Sequence, residues 1–211
     1  MPNIYVEKEY TIFVEGKLDR LIFEFILEEH FKEKKEDIQI IELGGKGELR
    51  NEPTIYSIKL GFGTLKGKNK NLKLLVILDK DESLEKTKRE IEKFKQKISK
   101  KVNKEIKINH LILPGENSKY SEMEGYLFDR ILGYIDKQEI KDCLFTMFPE
   151  GTPKRDKRLF YCYIWTKYKE SNCKYEGTSL NEDLKKCLPS ALIKDKNKLQ
   201  ELTSALDNFL T

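Results

Sequence analysis

Residues that build zinc, redox and disulfide sites are scarce in this chain. Among 211 residues there are four cysteines, two histidines and one tryptophan. The cysteines are widely and irregularly spaced and form no Cys-x-x-Cys pair, so neither a zinc knuckle nor a disulfide framework is predicted. We expect four reduced thiols. His30 and His110 fall in a predicted helix and a predicted strand, which does not favour a histidine general base.

Long apolar runs are missing too. No segment approaches the length of a membrane span, and the N-terminus lacks a signal-peptide pattern. We therefore expect a cytoplasmic protein with no membrane partner. The 40 basic residues are nearly balanced by 36 acidic ones, so net charge alone indicates no polyanionic partner. The glycine-rich segments do not fit a phosphate-binding P-loop, and the Asp79–Leu84 segment lacks the glycine of an EF-hand.

Apolar patterning predicts an α/β chain. Short apolar runs typical of buried strands alternate with segments of helical periodicity, the strands at 4–14, 38–41, 72–78 and 106–113, and the helices at 17–34, 53–60, 83–101 and 124–134. Residues 61–71 are predicted to be a loop. This alternation favours a Rossmann-like, parallel-rich sheet flanked by helices. Beyond it only helices are predicted, at 136–147, 156–169, 179–187 and 197–210. We predict a sheet domain over 1–135 and a helical C-terminal subdomain over 136–211.

Acidic side chains follow three of the predicted strands: Glu15, Asp19, Asp79, Asp81, Glu122 and Glu124. The carboxyl ends of parallel strands form the ligand-binding edge of open α/β sheets. Asp79 and Asp81, two apart on an extended chain, are expected to face the same way. The Glu15–Asp19 pair can also be a capped helix start. Glu122 can be a ligand, a partner of a ligand, or an acid favoured by a helix N-terminus.

Several acids at one edge exceed the pair that glycosidases or aspartic proteases use. Carboxylate oxygens are the ligands that Mg²⁺ and Mn²⁺ prefer. The sequence therefore predicts a site for one or two Mg²⁺ or Mn²⁺ ions, with metal ligands drawn from all six acids.

Lysines are the candidate cations of the same site. Lys46 follows two glycines, in a turn that can present backbone N–H groups, and Lys17 lies between two acids. Each can be a general base, a transition-state cation or an ion-pair partner. Basic residues that can contact nucleic acid, or that can simply be solvated, are Lys17, Lys66, Lys68, Lys154 and Lys157. The aromatic segment 159–165 fits a base-stacking platform, although a buried core helix is the favoured interpretation.

Four motifs, in chain order, resemble those of a Toprim domain: Glu15-Gly16-Lys17-Leu18-Asp19, Gly44-Gly45-Lys46, Asp79-Lys80-Asp81 and Glu122-Met123-Glu124. The pattern is most similar to the nuclease branch, the OLD-type (overcoming lysogenization defect) endonucleases and their small stand-alone relatives. The resemblance covers roughly residues 5–130. Glu122 departs from it, because the nuclease pattern has a small polar residue there.

The resemblance implies a Toprim-like fold and a metal-dependent endonuclease that hydrolyses DNA or RNA with two ions, in genome maintenance or phage defence. The implied catalytic residues are Glu15, Asp19, Asp79, Asp81, Glu124 and Lys46. Glu15, Asp19 and Asp79 are expected on one ion, and Asp81 with Glu124 on the other. OLD-type proteins carry an ATPase that this chain lacks, so an ATPase partner in trans is implied, and a homodimer is compatible with the pattern. The alternatives are a catalytically silent binding or regulatory module and an RNA-maturation endonuclease.

Overall fold

A four-stranded parallel sheet forms the centre of the fold. The computed structural model describes residues 4–81, 83–102, 106–134, 138–171 and 190–211. The strands are β1 (Tyr10–Val14), β2 (Ile38–Glu42), β3 (Lys73–Asp79) and β4 (Lys107–Leu113). Their order across the sheet is β2-β1-β3-β4, with β1 pairing in parallel with both neighbours. The predicted α/β class, a parallel sheet flanked by helices, is confirmed.

Helices connect the strands along the chain: α1 (Lys17–His30), α2 (Glu52–Gly67) and α3 (Leu84–Val102). Two short 3₁₀ helices, Lys35–Asp37 and Lys46–Arg50, precede β2 and α2.

Alternate residues of each strand face opposite sides of the sheet. One side, which includes Phe13 and Val76, packs against the buried faces of α2 and α3. Ile12 and Ile77 face the other side and are also buried. Burial of both faces explains the continuous apolar runs of β1 and β3.

The strand order creates a topological switch point. After β1 the chain passes through α1 to β2 on one side of β1, and α2 then returns it to β3 on the other side. The connection after β1 therefore leads towards the β2 edge of the sheet, whereas the connection after its neighbour β3 leads towards the β4 edge. In open α/β sheets the crevice at the carboxyl ends of such a strand pair is the usual place for a ligand.

Helix α2 is longer than the sequence pattern predicts. The predicted loop over 61–71 is wrong up to Gly67, where the helix ends. Leu65 is buried and Phe62 packs against the core cluster. Packing of these side chains outweighs the low helix propensity of Gly61, Gly63 and Gly67, because tertiary contacts routinely override propensity.

The chain divides into two compact units, Met1–Ile112 with Thr203–Thr211, and Leu113–Leu202. The second unit contains α4 (Met123–Ile131), a 3₁₀ turn (Leu132–Tyr134), α5 (Gln138–Met147), α6 (Arg155–Ser171) and α7 (Ser190–Lys194). Helix α8 (Gln200–Leu210) ends in the first unit, where the ring of Phe209 meets that of Tyr10 edge-on at 5.6 Å. The predicted helix over 179–187 lies outside the described residues, and the predicted boundary at 135/136 stays a prediction. Within the described ranges, no helix is both long enough and apolar enough to cross a membrane.

Candidate functional site

The first contact of the candidate site joins the carboxyl ends of β1 and β3. Glu15 directly follows β1, and Asp79 is the last residue of β3. The backbone N–H of Asp79 donates to Glu15 Oε2 at 3.3 Å. The parallel register, which pairs Val14 with Ile77, brings these two strand ends level. The acidic ends of β1 and β3 therefore meet at the switch point.

A glycine turn after β2 closes over the same strand end. The backbone N–H groups of Gly44 and Gly45 both donate to the Glu15 carbonyl oxygen at 3.1 Å. The two glycines have φ angles of +80° and +130°, which favour glycine. The sequence indicated that this turn can expose its backbone N–H groups, but those of Gly44 and Gly45 bond Glu15 instead. What the turn delivers to the site is the next residue, Lys46.

The Lys46 ammonium is surrounded by oxygen atoms. Its Nζ donates to Asp81 Oδ2 at 2.6 Å, to Thr87 Oγ1 at 3.1 Å and to the Asp79 carbonyl oxygen. Glu15 Oε2 lies 3.9 Å from the same nitrogen. The Lys46 side chain is only 16% exposed. One cation thus gathers the acidic residues that follow β1 and β3.

Asp81 reaches this cluster by a different route from the one predicted. The chain is no longer extended there, because β3 ends at Asp79 and Asp81 has a φ of +52°. Aspartate tolerates this left-handed conformation better than most residues. The interpretation that Asp79 and Asp81 share a face of an extended chain is therefore wrong. Lys46 joins them instead, by bonding the carbonyl of Asp79 and the carboxylate of Asp81.

Thr87 is a site residue that the sequence interpretation missed. It is 2% exposed, and its hydroxyl lies 3.3 Å from the Asp79 carbonyl oxygen and 3.2 Å from that of Lys80. It therefore holds the chain that follows β3. A signal was present: Thr87 occupies the buried stripe of α3, otherwise formed by apolar residues such as Ile91 and Phe94. A threonine at such a position indicates a buried hydroxyl with a nearby partner.

Asp19 is engaged with its own helix. Its Oδ2 accepts a hydrogen bond from the Gly16 backbone N–H at 2.8 Å, in a capping-box arrangement at the start of α1. The side chain is buried, and its charge suits the positive end of the helix dipole. The capped helix start that the sequence left open is therefore present. A metal-binding role for Asp19 stays a prediction.

The oxygen atoms around Lys46 are the candidate donors for a divalent cation. Among the described residues, no group of three or more His, Cys, Asp and Glu side chains is placed to hold a metal ion. The Lys46 ammonium nevertheless marks a cation position between two carboxylates, a backbone carbonyl and a hydroxyl. These are all hard oxygen donors, the type that Mg²⁺ and Mn²⁺ bind. The donor chemistry fits such an ion.

Substitution of Lys46 distinguishes two roles of its ammonium group. The ammonium pairs with carboxylates, and it would compete with a metal ion for the same oxygen atoms. We expect Lys46→Met to lower the free energy of unfolding by about 1 kcal/mol in EDTA, because two carboxylates lose their cation. We expect Mg²⁺ to restore more stability to this variant than it adds to the wild-type chain, since an ammonium and a divalent ion compete for the same oxygens. Thermal unfolding with Mg²⁺ and with EDTA measures both effects.

Lys97→Met is the matched control for that comparison. Lys97 Nζ donates to the Arg50 carbonyl at 2.8 Å and lies 2.9 Å from Glu52 Oε1, so it also joins a carbonyl and a carboxylate. Its stability loss should not respond to Mg²⁺. An equal Mg²⁺ response in both variants would contradict the assignment of the cation position to Lys46.

The second unit carries an acidic pair of its own. Glu122 is the N-cap of α4, and Glu124 lies in its first turn and is 5% exposed. Lys157 Nζ lies 3.7 Å from Glu122 Oε1 and 3.9 Å from Glu124 Oε1. The two glutamates that the sequence singled out therefore converge on one lysine, as the acids of the first unit do.

Asp156 supports this pair and was not predicted. Its Oδ2 accepts hydrogen bonds from the backbone N–H of Ser121 at 2.7 Å and of Glu122 at 3.0 Å. Asp156 is 5% exposed, and it pairs with Arg155, which is 7% exposed, at 3.8 Å. The carboxylate satisfies N–H groups at the start of α4, where helix N–H groups have no partner within the helix. It thereby fixes the helix end that carries Glu122 and Glu124.

Removing this buried carboxylate should have a large effect on stability. We expect Asp156→Ala to lower the free energy of unfolding by about 3 kcal/mol, because it leaves a buried arginine without this partner and uncaps α4. The midpoint of urea unfolding measures the change. Glu150→Ala, at an exposed acid just before α6, should be within about 0.5 kcal/mol of the wild-type chain. Similar midpoints for both variants would contradict the capping role.

Two buried tyrosines flank the acidic pair in the sequence. Burial raises the pKa of the Tyr120 and Tyr126 phenols, that of Tyr126 to about 12. The Arg130 guanidinium lies over the Tyr126 ring at 3.5 Å. Both phenols therefore stay protonated at neutral pH, and neither is suited to act as a phenolate nucleophile.

The remaining predicted basic residues occupy different places. Lys17 is exposed in the first turn of α1, directly after the Glu15–Gly16 corner. Lys66 and Lys68 are exposed at the end of α2, which leads to the start of β3. They lie at the amino edge of the sheet, so the structure does not bring them to the candidate site. Lys154 is exposed just before α6.

Comparisons with known proteins identify no relative of this chain. No family model matches it, and searches of curated proteins and of solved structures gave no match. The Toprim resemblance therefore depends on the four motifs, and the functional argument depends on the chemistry of the site itself.

Proposed function

We propose that this chain is a divalent-metal-dependent nuclease of Toprim type, which hydrolyses phosphodiester bonds of DNA or RNA. One observation carries the proposal: the carboxylates of Glu15 and Asp81 reach the same ammonium at the switch point of the sheet. A place where separate acids meet one cation, at the usual ligand edge of the fold, suits a metal-binding centre. The motif order of the Toprim nucleases supports the same conclusion.

In this proposal the carboxylates of Glu15 and Asp81 and the carbonyl oxygen of Asp79, which now surround the Lys46 ammonium, would hold Mg²⁺ or Mn²⁺; the Asp79 carboxylate is a proposed ligand from the resemblance. The bound ion supplies Lewis-acid activation of the phosphate and of the attacking water. The chain itself orients the ligands, since the Asp79 N–H holds the Glu15 carboxylate. Lys46, displaced from these oxygens by the ion, would supply a positive charge for the negative charge that develops on a substrate phosphate. Asp19, Glu122 and Glu124 remain proposed ligands from the resemblance.

Metal-dependent nicking tests the proposal. Purified chain is incubated with supercoiled plasmid and, separately, with structured RNA, in Mg²⁺, Mn²⁺ or EDTA. We expect cleavage of at least one substrate that requires a divalent ion. The chain can instead bind metal and nucleic acid but cleave nothing, whether by itself or with an added ATPase. That result would support the alternative, a binding or regulatory module that works with a partner ATPase.

A further inference from the structure

A cavity in the second unit is not used by the proposed chemistry. It has a volume of about 460 Å³ and runs along the first turns of α6. The lining combines aromatic and aliphatic side chains with exposed or half-buried basic ones, and it includes Phe148, Tyr161, Ile164, Lys154, Lys157 and Arg158. Small-ligand sites are concave, mostly apolar and a few hundred Å³ in volume. The cavity therefore has the size and lining of a site for one compact ligand.

The basic side chains of the lining indicate an anionic ligand. Lys154 and Arg158 are exposed, and in the part of the chain that the structure describes neither has an ion pair with an acid. Most lysines of α3, by contrast, face a glutamate one turn away or on α2, as Lys95 faces Glu92 at 2.8 Å. The positive charges of Lys154 and Arg158 are therefore not paired with acids in the way that most lysines of α3 are. A bound phosphate would pair with both of them.

The aromatic residues that line the cavity indicate that its ligand contains a flat ring. Phe148 and Tyr161 both line the cavity, and aromatic side chains beside basic residues are the usual platform for a nucleobase and its phosphate. We propose that this cavity binds one nucleotide of a single strand, with its base against Phe148 and Tyr161 and its phosphate at Lys154 and Arg158. Leu159, Phe160 and Tyr163 are buried on the same helix, whereas Tyr161 is only part-buried and lines the cavity.

The cavity is connected to the acidic pair of the same unit. Lys157 lines the cavity, and its Nζ lies 3.7 Å from Glu122 and 3.9 Å from Glu124. A nucleotide held there would lie one side chain away from those carboxylates. This inference rests on the proposed nuclease function and specifies its substrate, which would include a single-stranded segment. Binding itself requires neither metal nor cleavage.

Equilibrium binding in EDTA tests the inference. The fluorescence anisotropy of a labelled single-stranded oligonucleotide is measured with the full chain and its variants. We expect Tyr161→Ala to weaken binding about tenfold, the scale of one lost base stack. Tyr161→Phe should keep wild-type affinity, because it keeps the ring. Tyr56→Ala is the matched control, since Tyr56 is 61% exposed in the first unit, and it should bind like the wild-type chain.

A second pair of variants covers the case in which Tyr161→Ala does not fold. Lys154→Gln and Arg158→Gln change exposed positions. Together they should weaken binding and reduce the slope of log affinity against log salt concentration by about 0.7, the value for the one single-strand phosphate that both side chains contact. Competition with AMP and with decanoate identifies the ligand class. Displacement by AMP shows that a free nucleotide suffices, and binding of the oligonucleotide alone shows that a strand is needed; both support the inference.

Three results would overturn it: wild-type affinity in Tyr161→Ala, an unchanged salt slope in the double variant, or binding of decanoate with no binding of nucleotides. These are distinct from failure of the proposed function. A wild-type chain that cleaves nucleic acid but shows any of the three contradicts the cavity assignment only. A chain that binds through Tyr161 but never cleaves contradicts the nuclease only.

Discussion

Glu15→Gln should abolish most metal-dependent cleavage while leaving the fold intact. Glutamine keeps an oxygen that can accept the N–H of Asp79, which now donates to Glu15 Oε2 at 3.3 Å. It removes the negative charge that a divalent ion requires at the end of β1. We expect the rate of plasmid nicking in Mg²⁺ to fall by at least about a hundredfold, the scale of losing one group that stabilises transition-state charge. An unchanged thermal unfolding midpoint in EDTA would show that the fold is retained.

Glu42→Gln controls for the loss of one negative charge at the same sheet edge. Glu42 is the last residue of β2, the strand beside β1, and its partner in the parallel register is Val14. This variant should cleave at the wild-type rate. Equal losses in both variants would point to a general electrostatic effect, and full activity in Glu15→Gln would contradict the proposed metal centre.

Gly61→Ala should destabilise the first unit strongly. A Cβ atom at this position would lie 2.5 Å from the Val6 carbonyl oxygen and 2.6 Å from Val6 Cγ1, closer than non-bonded atoms approach. Relieving that overlap must move backbone, at a cost of about 3 kcal/mol, while the gain in helix propensity returns about 1 kcal/mol. We expect a net loss of about 2 kcal/mol, which corresponds to roughly 4–8 °C in the thermal unfolding midpoint of a chain of this size.

Gly63→Ala, in the same helix, provides the opposite expectation. No atom lies within 4 Å of a Cβ built at Gly63, and the residue is exposed. The substitution should therefore stabilise the chain by up to about 1 kcal/mol, the helix-propensity difference between glycine and alanine. Destabilisation by both alanines would contradict the idea that the contact with Val6 determines the effect at Gly61.

The sheet could be predicted from the sequence because its signal is local. Each central strand is an apolar run bounded by charged or turn residues, and burial of both faces of a parallel sheet produces that pattern. An acid directly follows each run, so the sequence alone locates Glu15 and Asp79 at strand ends. Their proximity also followed, because the carboxyl ends of neighbouring parallel strands share one edge.

The partners of those acids could not be predicted, because they depend on tertiary contacts. Nothing local to Lys46 shows that its ammonium will bond the chain after β3, more than thirty residues away. Asp156 caps a helix that begins 33 residues earlier in the chain, and the sequence offers no spacing rule for such a contact. The predicted end of α2 was wrong for a related reason. Its three glycines lower the helix propensity, and the tertiary packing that stabilises the helix is not visible in the local sequence.

Anomalous X-ray scattering from crystals grown with Mn²⁺ tests the central claim most directly. The proposal predicts an anomalous peak about 2.0–2.3 Å from carboxylate oxygens of Glu15 and of Asp79 or Asp81, with Lys46 Nζ displaced from its present contact with Asp81. Manganese bound only elsewhere, or Lys46 still bonded to Asp81 at saturating Mn²⁺ with no peak at these carboxylates, would contradict it.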